Sequence, residues 1–376
     1  MVRFAMILGL LFAVLLFSLS SSASTGKQPS LMLFLIRTGD KCGYINSSGN
    51  VVISPAFDDC TDFSEDYAAI KVGQKWGFID LQGRLVIQPQ FDECRWSFSD
   101  GLAAIRIGSK WGYIDTKGEI IISPRFDYAQ GFTEGRAIVL IGDEHGIIDK
   151  TGTLVTGLFD SSGWEFSEGL LDVEKEGRWG FVDSYGNWVI AAQFHLVKQF
   201  TEGLAAVEFG DDKNQWGYIN HFGAETIPPQ YGDAGYFAEG LAPVRIGSTY
   251  GFIDHRGEVV IQPLFESADS FSEGLAAVQE FKQVGFIDAS GRFVINPHYA
   301  LSSSFQNGLA EVTLGKEETS SKAYTKWLDE NVDWNINKET PSNYDQPPTD
   351  QSNTFSVGNW VYVDRTGNVV WKHPTR

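Results

Sequence analysis

Two columns of acidic residues are the side chains in this chain whose type and spacing could do chemistry. The first column lies three residues before a glycine, at Asp80, Asp115, Asp149, Asp183, Asp254 and Asp288. The second column precedes a glycine in Phe-x-Glu-Gly segments, at Glu134, Glu168, Glu202, Glu239 and Glu273. Repeated carboxylates could bind calcium, which prefers oxygen ligands. However, Asn46 and Asn220 replace aspartate in the first column, and a turn needs only a short side-chain acceptor. We therefore predict that both columns form turns and that no metal is bound.

Histidines and nucleophiles give no stronger sign of catalysis. His221 and His255 occupy the same turn position in adjacent copies of a repeat, but a zinc site would need a third protein ligand. No serine, cysteine or lysine lies in a nucleophile motif, and no glycine-rich phosphate loop joins a strand to a helix. We therefore predict that the protein is not an enzyme and carries no cofactor. A secreted hydrolase is a further alternative, and it would need a pocket that breaks the symmetry of the repeats.

Three cysteines could form a disulfide if the chain is exported to an oxidising compartment. Cys60 and Cys94 lie 34 residues apart at the same position of two successive repeats, so close stacking would bring them together. A bridge requires the two Cα atoms to lie within about 7 Å of each other. We predict a Cys60–Cys94 disulfide, with a Cys42–Cys60 pair as the alternative.

The elements that must position these side chains belong to a tandem repeat. A glycine followed by two apolar residues and then Asp or Asn recurs at intervals of 34 to 37 residues. The eight glycines are Gly43, Gly77, Gly112, Gly146, Gly180, Gly217, Gly251 and Gly285. Such self-similarity indicates one small supersecondary unit copied in tandem.

Each copy has the pattern of an antiparallel meander of three strands, with a short fourth strand as an option. Leu102–Ile107 alternates as a half-buried strand does, and a short turn leads into Trp111–Asp115. A turn ending at Gly118 precedes a third strand at 119–123, and Pro124 ends its ladder. The predicted fold class is all-β, built from tandem meander repeats. We favour an open β-solenoid-like array, with a closed β-propeller as the alternative.

The chain divides into four predicted segments. Arg3 precedes an apolar run that ends in small residues, a pattern typical of a secretory signal peptide. We therefore expect a secreted or periplasmic protein that does not span a membrane after cleavage. The segments are the signal peptide at 1–24, the repeat array at 25–314, a polar insertion at 315–358 and the C-terminal half of the last repeat at 359–376.

The repeats resemble the WG-repeat, or KWG-type, proteins of bacteria. The pattern is nearly complete at Lys75–Asp80, Lys110–Asp115 and Gln215–Asn220, and it covers almost all of the chain after the signal peptide. Four copies lack the tryptophan and have instead Cys42, His145, Tyr250 and Val284. This variation favours packing over chemistry as the role of the ring. The resemblance implies an interaction module with no common enzymatic activity.

Charge and aromatic content restrict the partners. The formal net charge of −19 argues against nucleic acid, which would repel the chain. We predict a scaffold that binds a protein or polysaccharide partner through exposed aromatic side chains. The candidates are Trp76, Trp111, Trp179 and Trp216 in the repeats, and Tyr324, Trp327 and Trp334 in the insertion. Burial of the repeat tryptophans would leave the insertion as the binding candidate. A structural spacer of the cell envelope is the alternative function.

Overall fold

Nine copies of an antiparallel β-meander form the part of the chain that the computed structural model describes, which is residues 32–210, 215–314 and 360–372. No residue in these ranges is helical, so the predicted all-β fold of tandem meanders is confirmed. We number the units one to nine by their first strands. These strands span Leu33–Thr38, Tyr67–Val72, Leu102–Ile107, Arg136–Ile141, Leu170–Lys175, Leu204–Glu208, Ala242–Ile246, Ala276–Glu280 and Leu309–Leu314.

The second and third strands complete each sheet by antiparallel pairing. The second strands span Lys41–Asn46, Lys75–Asp80, Lys110–Asp115, Glu144–Asp149, Arg178–Asp183, Trp216–Asn220, Thr249–Ile253, Gln283–Ile287 and Trp360–Asp364. The third strands, which unit four lacks, span Val51–Phe57, Leu85–Phe91, Ile120–Phe126, Trp188–Phe194, Glu225–Tyr231, Val259–Phe265, Phe293–Ser302 and Val369–Lys372. The predicted meander is therefore the repeating unit.

A two-residue strand precedes the first strand in most units and pairs with it. These short strands span Asp59–Cys60, Tyr128–Ala129, Ser161–Ser162, Leu196–Val197, Asp233–Ala234 and Ser267–Ala268. In unit three a single bridge between Glu93 and Arg106 takes this place. In unit nine the end of the long strand Phe293–Ser302 does so. We refer to this part of units two to nine as the short segment.

The ninth unit is assembled from both sides of the predicted insertion. Its first strand pairs with Trp360–Asp364, with Val312 opposite Val361. The sheet therefore continues across a gap of 45 residues in the described chain, 315–359. The predicted insertion at 315–358 and the predicted signal peptide at 1–24 lie outside the described residues and stay predictions.

The turn between the second and third strands uses the first acidic column. Asp115 Oδ1 accepts the backbone N–H groups of Lys117 and Glu119, both at 2.9 Å, and Gly118 has a φ of 84°. Glycine adopts this left-handed conformation without steric cost. Asn220 accepts the two equivalent bonds in its own unit. The predicted turn-forming role of these side chains is confirmed.

The glycine that follows the tryptophan position lets the third strand cross closely over the second. A Cβ atom on Gly77 would lie 2.5 Å from the carbonyl oxygen of Ile87. The ladder between these strands shifts register at the same place. Because any side chain here would displace the third strand, the crossing requires glycine.

The hydrophobic core lies between consecutive units. Tyr113 of unit three donates its hydroxyl to the carbonyl oxygen of Gln130 in unit four at 2.8 Å, and its ring lies 4.8 Å from that of Phe132. Tyr44 and Tyr218 donate in the same way to their following units. The array is therefore a series of like interfaces, each joining the second strand of one unit to the short segment of the next.

The second acidic column links the units directly. Glu134 accepts the backbone N–H of Gly169 at 3.1 Å, and Glu239 accepts that of Gly274 at 2.9 Å. Seven such bonds join units two to nine, each spanning one repeat. The carboxylates of this column therefore have a structural role, as predicted. Each one also connects its own turn to the equivalent turn of the next unit.

The first and ninth units are also in contact. Tyr362 of unit nine donates its hydroxyl to the carbonyl oxygen of Leu35 at 2.9 Å, and its ring lies 5.6 Å from that of Phe34. Leu309 and Ile36 join the same buried cluster. Each sheet stays open, but the series of sheets brings its two ends together. Units one and nine, which would otherwise each have one neighbour, therefore also contact each other.

Two phenylalanine substitutions test whether the ends meet. Tyr362→Phe removes the hydroxyl that binds Leu35, and Tyr218→Phe removes the equivalent hydroxyl between units six and seven. We expect each to lower the free energy of unfolding by about 1 kcal/mol, because a carbonyl oxygen loses its partner. Urea unfolding measures both values. If Tyr362→Phe leaves the free energy of unfolding unchanged while Tyr218→Phe lowers it, units one and nine do not touch.

Candidate functional site

The tryptophans expected to recognise a ligand do not form an exposed row. Trp76, Trp111 and Trp216 are buried, with 7%, 3% and 7% of their surface exposed. Trp179 is half-buried. The prediction of an exposed aromatic platform is therefore wrong for Trp76, Trp111 and Trp216, because their rings pack in the buried clusters between units. Tyr324, Trp327 and Trp334, the candidates in the insertion, lie outside the described residues.

One rule decides what each tryptophan touches. The residue at the tryptophan position of one unit packs against the short segment of the following unit. Trp111 shares a buried cluster with Ala129, and Trp216 shares one with Ala234. Small side chains in the short segment therefore make room for the indole ring of the preceding unit.

The cysteines follow this rule, and the predicted Cys60–Cys94 disulfide is therefore wrong. Cys42 stands at the tryptophan position of unit one and Cys60 in the short segment of unit two, and these two form the disulfide, with Cα atoms 6.2 Å apart. Cys94 is a buried free thiol that packs beside Trp76. Equivalent positions in neighbouring units are not neighbours in space, so the alternative pairing is the one that forms.

A cysteine placed at the next tryptophan position tests the rule. Trp76→Cys puts a thiol opposite Cys94 in the arrangement that Cys42 and Cys60 have, so we expect a second disulfide. Thiol titration of the denatured, unreduced protein should find no free thiol, against one in the wild type. Trp111→Cys is the control, because it faces Ala129 and should leave two free thiols. A count of two for Trp76→Cys would contradict the rule.

A pocket of about 370 Å³ opens where unit four carries His145 in place of tryptophan. Unit four also lacks its third strand, and the side chains of Leu154 and Leu158 cover Gly146 instead. The interface with unit five therefore misses both an indole ring and a strand. The lining residues are Tyr128, Gln130, Ile138, Val139, Leu140, His145, Ser161, Ser162 and Trp164.

His145 is held in one tautomer by its neighbours. The Ser162 hydroxyl donates to the carbonyl oxygen of Gly163 at 3.0 Å, and His145 Nδ1 lies 2.9 Å from Ser162 Oγ. A hydroxyl has one proton to donate, so both contacts are hydrogen bonds only in the tautomer in which the Nδ1–H of His145 donates to Oγ. Burial lowers the pKa of His145, so its ring is neutral at pH 7. Nε2 is then an acceptor, and it has no hydrogen-bond partner in the described part of the chain.

Gln130 contributes a second free acceptor. The residue is only 6% exposed, and its Oε1 atom is enclosed without a hydrogen-bond partner among the described residues. Leaving such a group unpaired costs about 1–3 kcal/mol. Native structures keep few of these groups, and the described part of the chain has three others, on Thr201, Gln283 and Thr313.

Trp164 stands at the rim of the pocket with 70% of its surface exposed. It lies in the segment that connects Phe159 to Phe166. This segment is one residue longer than the equivalent one that leads into unit four, from Phe126 to Phe132. Sequence reasoning did not identify this site. The sequence feature that could have identified it is a histidine at the tryptophan position of one unit, followed in the next unit by a longer connecting segment that contains a tryptophan.

A second, smaller pocket of about 200 Å³ follows the same rule. It lies where unit eight carries Val284 at the tryptophan position, beside Asp269 and Gln279. No aromatic side chain lines it. The two remaining substitutions are filled, since Cys42 forms the disulfide and Tyr250 packs against the same cluster as Ala268 of unit eight. Both of these pockets therefore lie where the replacement leaves space.

The two histidines of the shared turn position do not meet. His221 Nε2 lies 3.0 Å from Glu168, and its ring stacks on Phe200 at 4.4 Å. His255 makes the equivalent contact with Glu202 of the next interface at 3.2 Å. Each histidine therefore takes part in a different contact between units. Within the described ranges, no three His, Cys, Asp or Glu side chains are grouped as metal ligands.

Asp172 lies buried beside the short segment of unit five. Its carboxyl group fills the space that a side chain on Gly163 would occupy. Burial raises its pKa to about 6. Ionisation of this group therefore opposes folding.

Replacement of Asp172 by asparagine should make the protein more stable above the raised pKa. The unfolded chain ionises near its usual value of 3.8, so wild-type stability is lost as the pH rises from about 4 to 6. We expect the gain for Asp172→Asn to grow from near zero at pH 4 to at most about 3 kcal/mol at pH 7.5. Urea unfolding at several pH values measures it.

Asp160→Asn is the matched control in the same unit. Hydrogen bonds from the backbone N–H of Glu176 and from Lys175 lower the pKa of this exposed carboxyl group. Its replacement should therefore give no gain at pH 7.5. A gain for Asp172→Asn that is independent of pH would contradict the assignment to ionisation.

The fold and its interfaces define a tandem β-meander repeat protein. The model of the WG containing repeat matches eight segments, at 43–76, 76–111, 111–144, 146–179, 179–212, 216–250, 250–280 and 285–317. The chain therefore belongs to the WG containing repeat family, as the resemblance of its sequence implied. No curated protein matched the chain.

Solved structures show a likeness of fold. A structure described as "Crystal structure of the eukaryotic initiation factor" is similar with a TM-score of 0.59 and 12% identity, over 92% of this chain and 96% of that one. Hsv2 of Kluyveromyces marxianus is similar with a TM-score of 0.38 and 11% identity, over 60% of this chain and 89% of that one. At 12% identity the first structure shows a similar fold and nothing more. The TM-score of the second is too low to support a conclusion. No helix in the described ranges is long and apolar enough to span a membrane.

Proposed function

We propose that this protein is an exported, non-enzymatic binding scaffold and that its recognition site is the pocket at His145. The pocket would receive a ring-sized group presented by a glycan or a protein. The observation that carries the proposal is the pocket itself, which breaks the repeat symmetry and is lined by His145 and by the exposed side chain of Trp164.

The shape of the site supports a ring-sized ligand. At the equivalent place in unit three, the indole of Trp111 packs against unit four. The pocket at His145 is the space that such an indole would occupy, enlarged by the missing third strand. Trp164 and Tyr128 add aromatic surface to it.

The Ser162–His145 pair supports binding over hydrolysis. A general base must accept the proton of the nucleophilic hydroxyl. Here the Ser162 hydroxyl donates to Gly163, and His145 donates to Ser162. No carboxylate within the described part of the chain hydrogen-bonds to His145. His145 and Ser162 therefore form a fixed polar surface in the pocket. This arrangement gives no support to the hydrolase alternative.

The disulfide supports export. Cys42 and Cys60 bridge two units, and such structural bridges persist mainly in oxidising compartments. The apolar N-terminal run from Phe4 to Leu19 is consistent with the same route. A structural spacer is the alternative within this setting, and it would show no specific ligand.

Restoring the repeat residue tests the proposal. His145→Trp puts an indole where Trp76 and Trp111 have one, and it should fill the pocket without lowering the unfolding temperature. Saturation-transfer NMR with indole and with methyl glycosides of glucose, galactose, mannose and N-acetylglucosamine measures binding. We expect at least one compound to bind the wild type and none to bind His145→Trp.

Val284→Trp is the matched control because it fills the second pocket instead. Ligand binding should survive this change. Binding that persists in His145→Trp would place the site elsewhere. The absence of any binding to the wild type would favour the spacer.

A further inference from the structure

We infer that Asp172, together with the aromatic rings of Trp164 and Tyr236, binds an organic ammonium ion. The site is distinct from the pocket at His145, because Asp172 does not line that pocket. The inference therefore goes beyond the ligand proposed there and does not depend on it. Three observations lead to it: a buried carboxylate without a cation, the access to that carboxylate, and two exposed rings close to it.

Asp172 stands where regular units carry a small side chain. It lies in the first strand of unit five, opposite Phe181 of the second strand. The residues at the same place, each opposite an aromatic residue, are Ala69, Ala104, Ala206 and Ala277 in units two, three, six and eight. The regular interface therefore needs no carboxylate here. Departures from a local pattern of this kind are expected at functional sites.

The carboxyl group of Asp172 lacks a partner of opposite charge. The residue is 9% exposed, and burial raises its pKa to about 6, so it is ionised at neutral pH. Within the described ranges, its only hydrogen bond comes from its own backbone N–H, and no lysine, arginine or histidine pairs with it. Buried charges in proteins are normally paired with an opposite charge or bound to a metal. Asp172 therefore lacks the cation that its burial requires.

A ligand can reach this carboxylate. In the described part of the chain, four enclosed side-chain atoms have no hydrogen-bond partner, and none of them belongs to Asp172. The carboxylate oxygen without a hydrogen bond therefore keeps accessible surface. The carboxyl group lies against Gly163, in the space that a side chain there would occupy.

Two exposed aromatic rings lie close to the carboxylate. Trp164 directly follows Gly163 and is 70% exposed. Tyr236 of unit seven is 41% exposed, and its backbone carbonyl accepts the hydroxyl of Ser270 at 2.9 Å. Burial and then the negative charge of Asp172 raise the pKa of Tyr236, so the phenol lies within the field of that charge. The units on both sides of unit six therefore each present a ring near Asp172.

An ammonium ion matches this combination of groups. The face of an aromatic ring attracts a cation, and aromatic side chains are the usual recognition elements for quaternary ammonium groups. Lys198 shows this attraction within the protein, since its Nζ atom lies 5.7 Å from the centre of the Tyr236 ring. Lys198 is held 3.6 Å from Asp233, and it does not pair with Asp172.

A metal ion fits the site less well. Calcium takes about six to eight oxygen ligands. Asp172 supplies one carboxylate, and no three acidic, histidine or cysteine side chains are grouped as ligands anywhere in the described ranges. The charge of −19 also favours a cationic ligand over an anionic one.

Choline and dimethylbutanol, its neutral carbon analogue, separate the charge of the ligand from its shape. Binding of both to the mature wild-type protein is measured at neutral pH by saturation-transfer NMR, and affinity by isothermal titration calorimetry. N-acetyl-lysine amide is the third probe, because lysine is the source of an ammonium group on a protein partner. We expect at least one of the two cations to bind and dimethylbutanol not to bind. The tighter cation identifies the source of the group.

Asp172→Asn keeps the size of the side chain and removes its charge. It should weaken binding of the cation about tenfold, and it should fold, because the loss of the buried charge stabilises the protein. Tyr236→Leu should weaken binding about fivefold, whereas Tyr236→Phe keeps the ring and should restore it. Asp160→Asn is the matched control. It removes an exposed charge from the same unit and should leave binding unchanged.

Three results would overturn the inference. Equal affinity for choline and dimethylbutanol would mean that charge plays no part in binding. Equal losses in Asp172→Asn and Asp160→Asn would assign the effect to the net charge of the protein. If neither cation binds the wild type, the site does not exist. Indole and glycosides report on the pocket at His145 separately, so failure of the proposed function is distinguishable from failure of this site.

Discussion

The contact between the tryptophan position of one unit and the short segment of the next is the interaction on which the rest of the structure depends. A single meander buries too little apolar surface to be stable alone, so its aromatic side chains must find a neighbour. Trp111 against Ala129 is the regular form of this contact. The disulfide between Cys42 and Cys60 is a covalent form of it. The pocket at His145 is the same contact with its ring removed, so stability and recognition are two uses of one position.

The hydrogen bonds between units lie in a different part of each interface from the apolar contacts. Carboxylates such as Glu134 bond to the backbone of the next turn, where water has access, while the indole and phenol rings are buried. Exposed hydrogen bonds of this kind contribute little individually. Their regularity sets the spacing of the first strands, and burial supplies most of the free energy.

Much of the fold could be predicted from the sequence because its signals are local. The Asp115–Gly118 turn and the glycine at Gly77 recur in every regular copy, so the strands and their order follow from the period. The site could not be predicted in the same way. Whether Trp76 is a platform or a core residue depends on which unit faces it, and that is a property of the array. The Cys60–Cys94 pairing failed for the same reason, since the tryptophan position of one unit, and not its short segment, packs against the short segment of the next. His145 was visible as a departure from the pattern, but the space beside it depends on the missing third strand and on the crossing that carries Trp164.

The contact between Tyr362 and Leu35 has a consequence for how such a protein can evolve. Open repeat arrays gain and lose copies readily, because a new unit only lengthens the stack. Where the last unit must meet the first, an added or deleted copy changes the angle between all neighbours and breaks the final contact. Duplication of a whole unit, the process that made the repeats, can then no longer produce new variants of the protein. Later change is confined to substitutions at single interfaces and to added residues that leave the sheet intact, as the pairing of Leu309–Leu314 with Trp360–Asp364 is intact across the residues between them.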